Sequence, residues 1–512
     1  MRSIAHCRVE EQRRRRRCDG MSKASSPVTL ALLLVVAYGD SSTPPSTDSG
    51  VDSGPDTLSV PAGLVLTLER LAPGVDFKAV VISTGAAPSS IPTITSDRGV
   101  VSPVTDIGDG RFEATITTDG TGEYVVEATL EGESASDTAV VLELVGARWG
   151  QPRKVRGLVN TDGWEDSIYI TPDGEWLFLV YSPVSITCTW EFDDSPGGAD
   201  NTTFCATASG PWEGPERPNL GGAERIGPRG EVSPECLGVT PGVFLPPATT
   251  YGFHRQADGS FAEPFVMSFP GSGGCLTTGG LNVYPNADGS AHALFSWNDW
   301  NPPGIEFVVA DIPVLGRDFE VAAWVGTFGA GGAVEGFVGT ELPIPHALGE
   351  LGFNAHGVWA ADGISRVWFD NETGERDLYY AERGADGRWT PPATMGAPLS
   401  TPGGEIMPFY SASRMYVRLQ TAAGAHTIAS SSFIGGPTAD PTDAMSWGPY
   451  ETDLAGDVPE WFTEGAIFTV AEPTVTSPAL TADGEEILYF NYAVRAADGS
   501  ADLNVGYVVT SP

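Results

Sequence analysis

Two patterns of apolar and polar positions divide the chain. Between residues 58 and 146, apolar residues alternate with polar ones in short runs: Leu64–Leu68, Phe77–Ile82, Phe112–Ile116, Tyr124–Ala128 and Ala139–Leu144. Gly, Pro, Asp and Ser punctuate the runs. Period-two alternation places successive side chains on opposite faces of a strand, so this stretch predicts a small β-sandwich with one face of each sheet buried.

From about residue 147 to 512 the alternation is organised at a longer period. An apolar strand, an Asp-Gly turn and a second strand ending in an aromatic recur at Ile168–Phe178, Val283–Phe295, Val358–Phe369 and Pro478–Phe490, and Pro408–Val417 is a copy with a shorter turn. Asp-Gly suits tight hairpins because glycine takes positive φ without strain. A second marker, an aromatic that follows an outer turn, falls at Trp149, Trp212, Phe261, Phe319, Trp389 and Trp447, with spacings of 63, 49, 58, 70 and 58 residues. Six markers predict six four-stranded blades of a β-propeller, or five if the Cys-rich stretch 188–275 is an insertion. The fold class is all-β: a sandwich followed by a propeller.

The repeat strand–x-x-Asp-Gly-x-x-Leu-x-Phe resembles the TolB-like propellers of exported bacterial proteins over about 70% of the chain. That resemblance implies a channel face that binds a partner protein or a sugar, and, in some related propellers, a hydrolase or lyase site. The sandwich resembles the immunoglobulin-like modules of bacterial surface proteins: Asp119–Tyr124 is similar to a tyrosine corner, whereas a Cys pair and a core Trp are missing. Its expected role is that of a spacer.

Composition narrows the partners. The chain has 66 acidic and 28 basic residues and a net charge of -38, which repels phosphate backbones and anionic membrane surfaces. Part of the basic charge sits in a leader. Arg13 to Arg17 precede Met21, after which Ser22, Lys23, the apolar run Val28–Ala37 and the small-residue site Val35-Val36-Ala37 form an export signal. Residues 1–37 therefore read as a misassigned start plus signal peptide, too short in its apolar run to span a bilayer. Without them 20 basic and 63 acidic residues remain, a net charge of -43. The signal resembles that of a lipoprotein except that Tyr38 stands where the lipidated Cys belongs, so a lipid anchor is not expected. Residues 38–57 are a flexible linker. The expected address is the periplasm, the cell surface or the medium. Cys188, Cys205, Cys236 and Cys275 are an even set in an exported chain and predict two disulfides, in one of three pairings.

No metalloprotease, nucleophile-elbow, phosphate-loop or dinucleotide motif is present. A recurrence at the opening of the innermost strands is the main candidate site: Glu165 and Asp166, Glu231, Glu405 and Glu472, with Asn282 and Asn354 or His356 at the matching points of the other blades. A ring of carboxylates has four uses. It caps backbone N–H groups, binds a cation such as Ca²⁺, hydrogen-bonds sugar hydroxyls, or supplies an acid–base pair for glycoside cleavage. One carboxylate per blade favours the structural use, since catalysis needs only two. Asp193, Asp194, Asp200 and Asn201 are a weaker Ca²⁺ candidate, and Trp297, Trp300 and Trp461 are candidate sugar platforms. The expectation is a binding scaffold for a protein or glycan rather than an enzyme. A carbohydrate-active enzyme using Glu165, Asp166, Glu405 and Glu472 is the alternative.

Overall fold

The computed structural model describes residues 63–71, 75–84, 88–161, 164–182, 249–266, 277–285, 291–300, 303–312, 327–328, 334–335, 354–359, 365–371, 376–411, 413–420, 426–436, 439–456, 467–477, 485–495 and 501–510. Among them every regular element is a β-strand except one 3₁₀ turn, Ala444–Ser446. No helix there is long and apolar enough to cross a membrane. Cys188, Cys205, Cys236, Cys275, Glu231, Trp212, Phe319, Trp461 and the acidic stretch 193–201 lie outside the described residues.

Residues 63–141 form two antiparallel sheets. One is built from Gly63–Arg70, Phe77–Thr84 and Arg111–Thr117, with Val100–Val101 and Thr105–Gly108 both paired to the last of these. The other is Thr93–Ser96, Gly122–Leu130 and Glu133–Val141. Their inward positions, among them Leu66, Leu68, Phe77, Phe112, Ile116, Tyr124 and Val126, make one apolar core. Tyr124 is fully buried with its ring edge-on to Phe77. Its hydroxyl accepts from the Asp119 amide at 2.9 Å and lies within hydrogen-bond distance of the Gly120 carbonyl and the Asp119 carboxylate. The tie holds the turn that precedes the strand.

The remainder is a cyclic array of antiparallel sheets. Sheet I is Trp164–Ile170, Trp176–Ser182, Thr249–Arg255 and Phe261–Val266. Sheet II is Thr277–Pro285, Ala291–Trp300 and Pro303–Ile312. Sheet III is Asn354–Trp359, Arg366–Asn371, Leu378–Glu382 and Ala393–Thr394. Sheet IV is Gly404–Ser411, Arg414–Gln420, His426–Phe433 and Trp447–Ala455. Sheet V is Ile467–Val475, Ile487–Arg495 and Ala501–Val509. All five repeat copies read from the sequence fall on the hairpin between the first and second strands of a sheet. In the first of these hairpins Gly174, following Asp173, has a φ of +74°, and Gly259 and Gly387, which follow Asp in the turns between third and fourth strands of sheets I and III, have φ of +78° and +77°.

The first strands of the sheets touch in the order I, II, III, IV, V, and the first strand of V touches that of I. The ring is thus closed, with first strands innermost. Aromatics and aliphatics from all five sheets meet in one core that includes Tyr169, Val283, Val358, Trp368, Phe409, Tyr416, Trp447 and Phe490. The marker residues Trp149, Phe261, Trp389 and Trp447 are all buried. Closure uses chain from both sides of the ring. Arg153–Lys154, ahead of sheet I, pairs with Ala501–Val509 of sheet V, and Leu144–Val145 edges sheet IV. Arg153 also pairs with Ala139 of the sandwich, so one sheet runs through both parts. Residues 60–512 accordingly form one compact unit.

Arg148 fastens this seam. Its guanidinium donates to Asp453 at 2.9 Å, Glu486 at 3.1 Å and the Tyr416 hydroxyl at 2.6 Å while lying over the rings of Trp149 and Tyr416. Glu123 of the sandwich accepts from Lys154, Tyr492 and Asn504 on the ring side.

Candidate functional site

Four of the five innermost strands contain the same irregularity. Pairing with the second strand slips by one residue between Asp166 and Tyr169, Ala355 and Val358, Ile406 and Phe409, and Ala471 and Thr474. The first residue of each bulge is left-handed: Ser167 (φ 52°), His356 (49°), Met407 (55°) and Glu472 (53°). The first strand of sheet II has a related irregularity between Gly279 and Asn282. Left-handed backbone is disfavoured for residues other than glycine, and bulges re-aim side chains that a regular strand would bury between neighbours. Repeated around the ring, the device turns one residue per sheet toward the axis.

The result is an axial cavity of about 40 Å³ lined by Ser167, Ile168, Tyr169, Asn282, His356, Gly357, Met407, Pro408, Phe409, Glu472 and Pro473. That volume holds about two or three waters. Tyr169 and Phe409 form part of the wall with ring centroids 6.1 Å apart. Asn282 is 4% exposed, and its Oδ1 has no hydrogen-bond partner among the described residues.

The predicted carboxylates separate into two groups. Glu165 and Glu405 occupy equivalent positions, two residues before their bulges, and both are fully buried. Each turns back to the threonine four residues earlier. Glu165 accepts from the Thr161 amide (3.2 Å) and hydroxyl (2.6 Å), and Glu405 accepts from the Thr401 amide (3.0 Å) and from the Thr401 hydroxyl. These groups hold the loop that leads into the strand, and neither lines the cavity. Burial pushes the Glu165 carboxyl well above the usual range and Glu405 up to about 7. The second oxygen of each has no hydrogen-bond partner among the described residues.

Glu472 belongs to the other group. It is equivalent to His356, Ser167 and Met407 rather than to Glu165 and Glu405, because the bulge offsets it by two residues. Asn354, not His356, stands where Glu165 and Glu405 stand. Glu472 accepts from the Ile168 amide at 3.1 Å across the I–V seam and shares a hydrogen bond with Asp166. Desolvation first, and then the Asp166 charge, hold its carboxyl well above the normal range.

His356 Nδ1 lies 2.8 Å from Asp370 Oδ2, and that oxygen also accepts from the Met407 amide at 2.6 Å. The Asp370 carboxylate thus orients the His356 imidazole and, through the Met407 amide, the neighbouring strand. Asp370 was not singled out by sequence, and neither was Arg418, whose burial lowers its pKa and whose charge interacts with Glu472, Asp166 and Asp370. Both sit opposite the bulges on second strands, paired with Ala355 and Ile406. A charge directly after the apolar run Val367–Phe369, and one inside Met415–Leu419, was the available signal. Asn491 holds the same place in sheet V and donates to the Glu165 carbonyl of sheet I at 2.8 Å. Second-strand polar groups thus tie two sheets to their neighbours: Asp370 joins III to IV, and Asn491 joins V to I.

Among the described residues, no three His, Cys, Asp or Glu side chains are placed to hold a metal ion. Backbone positions 292, 297 and 300 lie on the second strand of sheet II, and their side chains are outside the described set.

No family model and no curated protein matches the chain. Solved structures do. A protein of unknown function from Dyadobacter fermentans is 10% identical, with 88% of this chain and 94% of that one covered at a TM-score of 0.33. The catalytic domain of a GH62 alpha-L-arabinofuranosidase from Coprinopsis cinerea is 7% identical, with 71% and 97% covered at 0.33. A putative glycosidase from Bacteroides thetaiotaomicron is 13% identical, with 69% and 87% covered at 0.31. Likenesses at this level of superposition say nothing of chemistry.

Proposed function

We propose that the chain is an exported protein of an immunoglobulin-like spacer and a five-bladed β-propeller, and that it binds a glycan at the axial mouth without cleaving it. The observation that carries this reading is the repeated left-handed bulge, which turns Ser167, His356, Met407 and Glu472 toward one cavity. Strained backbone repeated at one place is a device for presenting side chains, and it persists only where the surroundings hold it. Hydroxyl groups both donate and accept, as the mixture of Asn282, His356 and Glu472 requires. The cycle of first strands, in which that of sheet V meets that of sheet I, supports the five-bladed reading.

Binding is favoured over cleavage by the carboxyl geometry. Glycosidases hold their two carboxyls about 5–5.5 Å apart when retaining and about 6.5–9.5 Å apart when inverting, with the sugar between them. Asp166 and Glu472 are hydrogen-bonded to each other, and Glu165 and Glu405 are committed to their threonines. The test is a glycan array on the full chain with and without Ca²⁺, followed by the Asn282→Ala and His356→Ala variants. The reading expects a restricted set of glycans, lost in both variants. Release of reducing ends from any bound glycan, or binding untouched by both substitutions, overturns it.

A further inference from the structure

The cavity is richer in acceptors than a pocket for a neutral hydroxyl needs. Asn282 presents a buried carbonyl oxygen with no hydrogen-bond partner among the described residues. Glu472 lines the same cavity with its carboxyl, and the Asp166 carboxyl stands beside it. Tyr169 and Phe409 supply aromatic faces. Resting on the glycan reading, we propose that the axial cavity takes an ammonium group, and that the ligand is a glycan bearing free amines.

The chemistry fits in size and in charge. About 40 Å³ admits an ammonium and excludes a sugar ring, which would stay at the mouth. An ammonium has three donors and no acceptor, matching Asn282 Oδ1 and the two carboxyls. Aromatic walls attract cations through the ring quadrupole. Of the groups acting on Glu472, the Asp166 charge opposes its ionisation and the His356 charge favours it, while Arg418 interacts with Glu472, Asp166 and Asp370 with Arg376 behind it. A chain of net charge -38 adds a long-range field that draws cations in. Glu472 meets the ammonium as a carboxylate, so the proton that its burial retains leaves to solvent. Binding therefore releases a proton, and it tightens as pH rises until the ligand amine itself loses its charge.

The experiment is calorimetric titration of the full chain with glucosamine oligomers, N-acetylglucosamine oligomers of the same length, and n-butylammonium as a sugar-free amine. Each is run in two buffers of different ionisation enthalpy. Expected are binding of the glucosamine oligomer at least ~10-fold tighter than of its acetylated counterpart, proton release on binding, and at least a ~10-fold loss in Glu472→Gln and Asn282→Ala. Equal affinity for acetylated and free oligomers, or variants that bind as the parent does, overturns the ammonium proposal and leaves the glycan reading standing. Binding of butylammonium with no oligosaccharide bound supports the ammonium cavity and overturns the glycan reading. Binding of none of the three overturns the ammonium proposal.

Discussion

The sandwich and the centre of the ring bury opposite kinds of residue. Inside the sandwich the core cluster is apolar, and the Tyr124 hydroxyl at its edge is satisfied by the turn it holds. At the ring's centre lie Glu165, Asn282, Asp370, Glu405, Glu472 and Asn491, all at most 5% exposed, and several have an oxygen with no partner among the described residues. Apolar burial stabilises a fold in proportion to area, whereas an unsatisfied buried polar atom costs roughly 1–3 kcal/mol. The sandwich is therefore built for stability. The axis gives some stability up, as functional centres do.

The largest test of this contrast is Phe77→Ala in the sandwich. Truncating a fully buried aromatic removes about 3–5 kcal/mol, read by urea denaturation. A loss under ~1 kcal/mol would break the comparison.

Next is the pH response of the ring. Glu405 has its folded pKa raised to about 7, against about 4.5 in the unfolded chain. The folded state then holds a proton that the unfolded state gives up. This stabilisation is complete below pH ~4.5 and is lost as pH rises through about 7, a decline of up to about 3 kcal/mol. Glu405→Gln should flatten the stability curve across that window; an unchanged slope would show that Glu405 is ionised in the fold.

Thr401→Val is expected to remove about 1–2 kcal/mol by depriving that carboxyl of its hydroxyl donor, measured by thermal denaturation at pH 8. The smallest effect has the opposite sign. Asn282→Leu replaces a buried amide with an apolar side chain of similar size and should raise stability by about 1 kcal/mol while abolishing glycan binding. Lost stability together with retained binding would place Asn282 with the structural residues.

Much of the architecture was legible in the chain. The hairpins announced themselves through Asp-Gly turns whose glycines adopt positive φ, as at Gly174, Gly259 and Gly387. Alternation located the sandwich strands, and the four aromatic markers among the described residues, Trp149, Phe261, Trp389 and Trp447, fell on buried positions. The site was legible only in part. Glu472 and Glu405 each open an innermost strand in the sequence, but Glu472 is the bulge residue of its strand and Glu405 stands two residues before the bulge of its own, so one reaches the axis and the other turns to its loop. A bulge formed by Ser, His, Met or Glu leaves no local signature, because its conformation is set by the neighbouring strands. Asp370 and Arg418 were missed for a related reason: their partners lie across the ring or on the adjacent sheet, at separations that no motif records.

Arg153–Lys154 has a mechanical consequence. This two-residue strand is flanked by Ala501–Val509 on one side and Glu133–Val141 on the other. A pull on the sandwich is therefore delivered to the ring at its closing seam rather than at an outer edge. If the sandwich is the attached end and the axial mouth the gripping end, tension on a bound polymer runs through the strand that keeps the circle shut. The Arg148 fastening and the three bonds to Glu123 then act as the rivets of that joint.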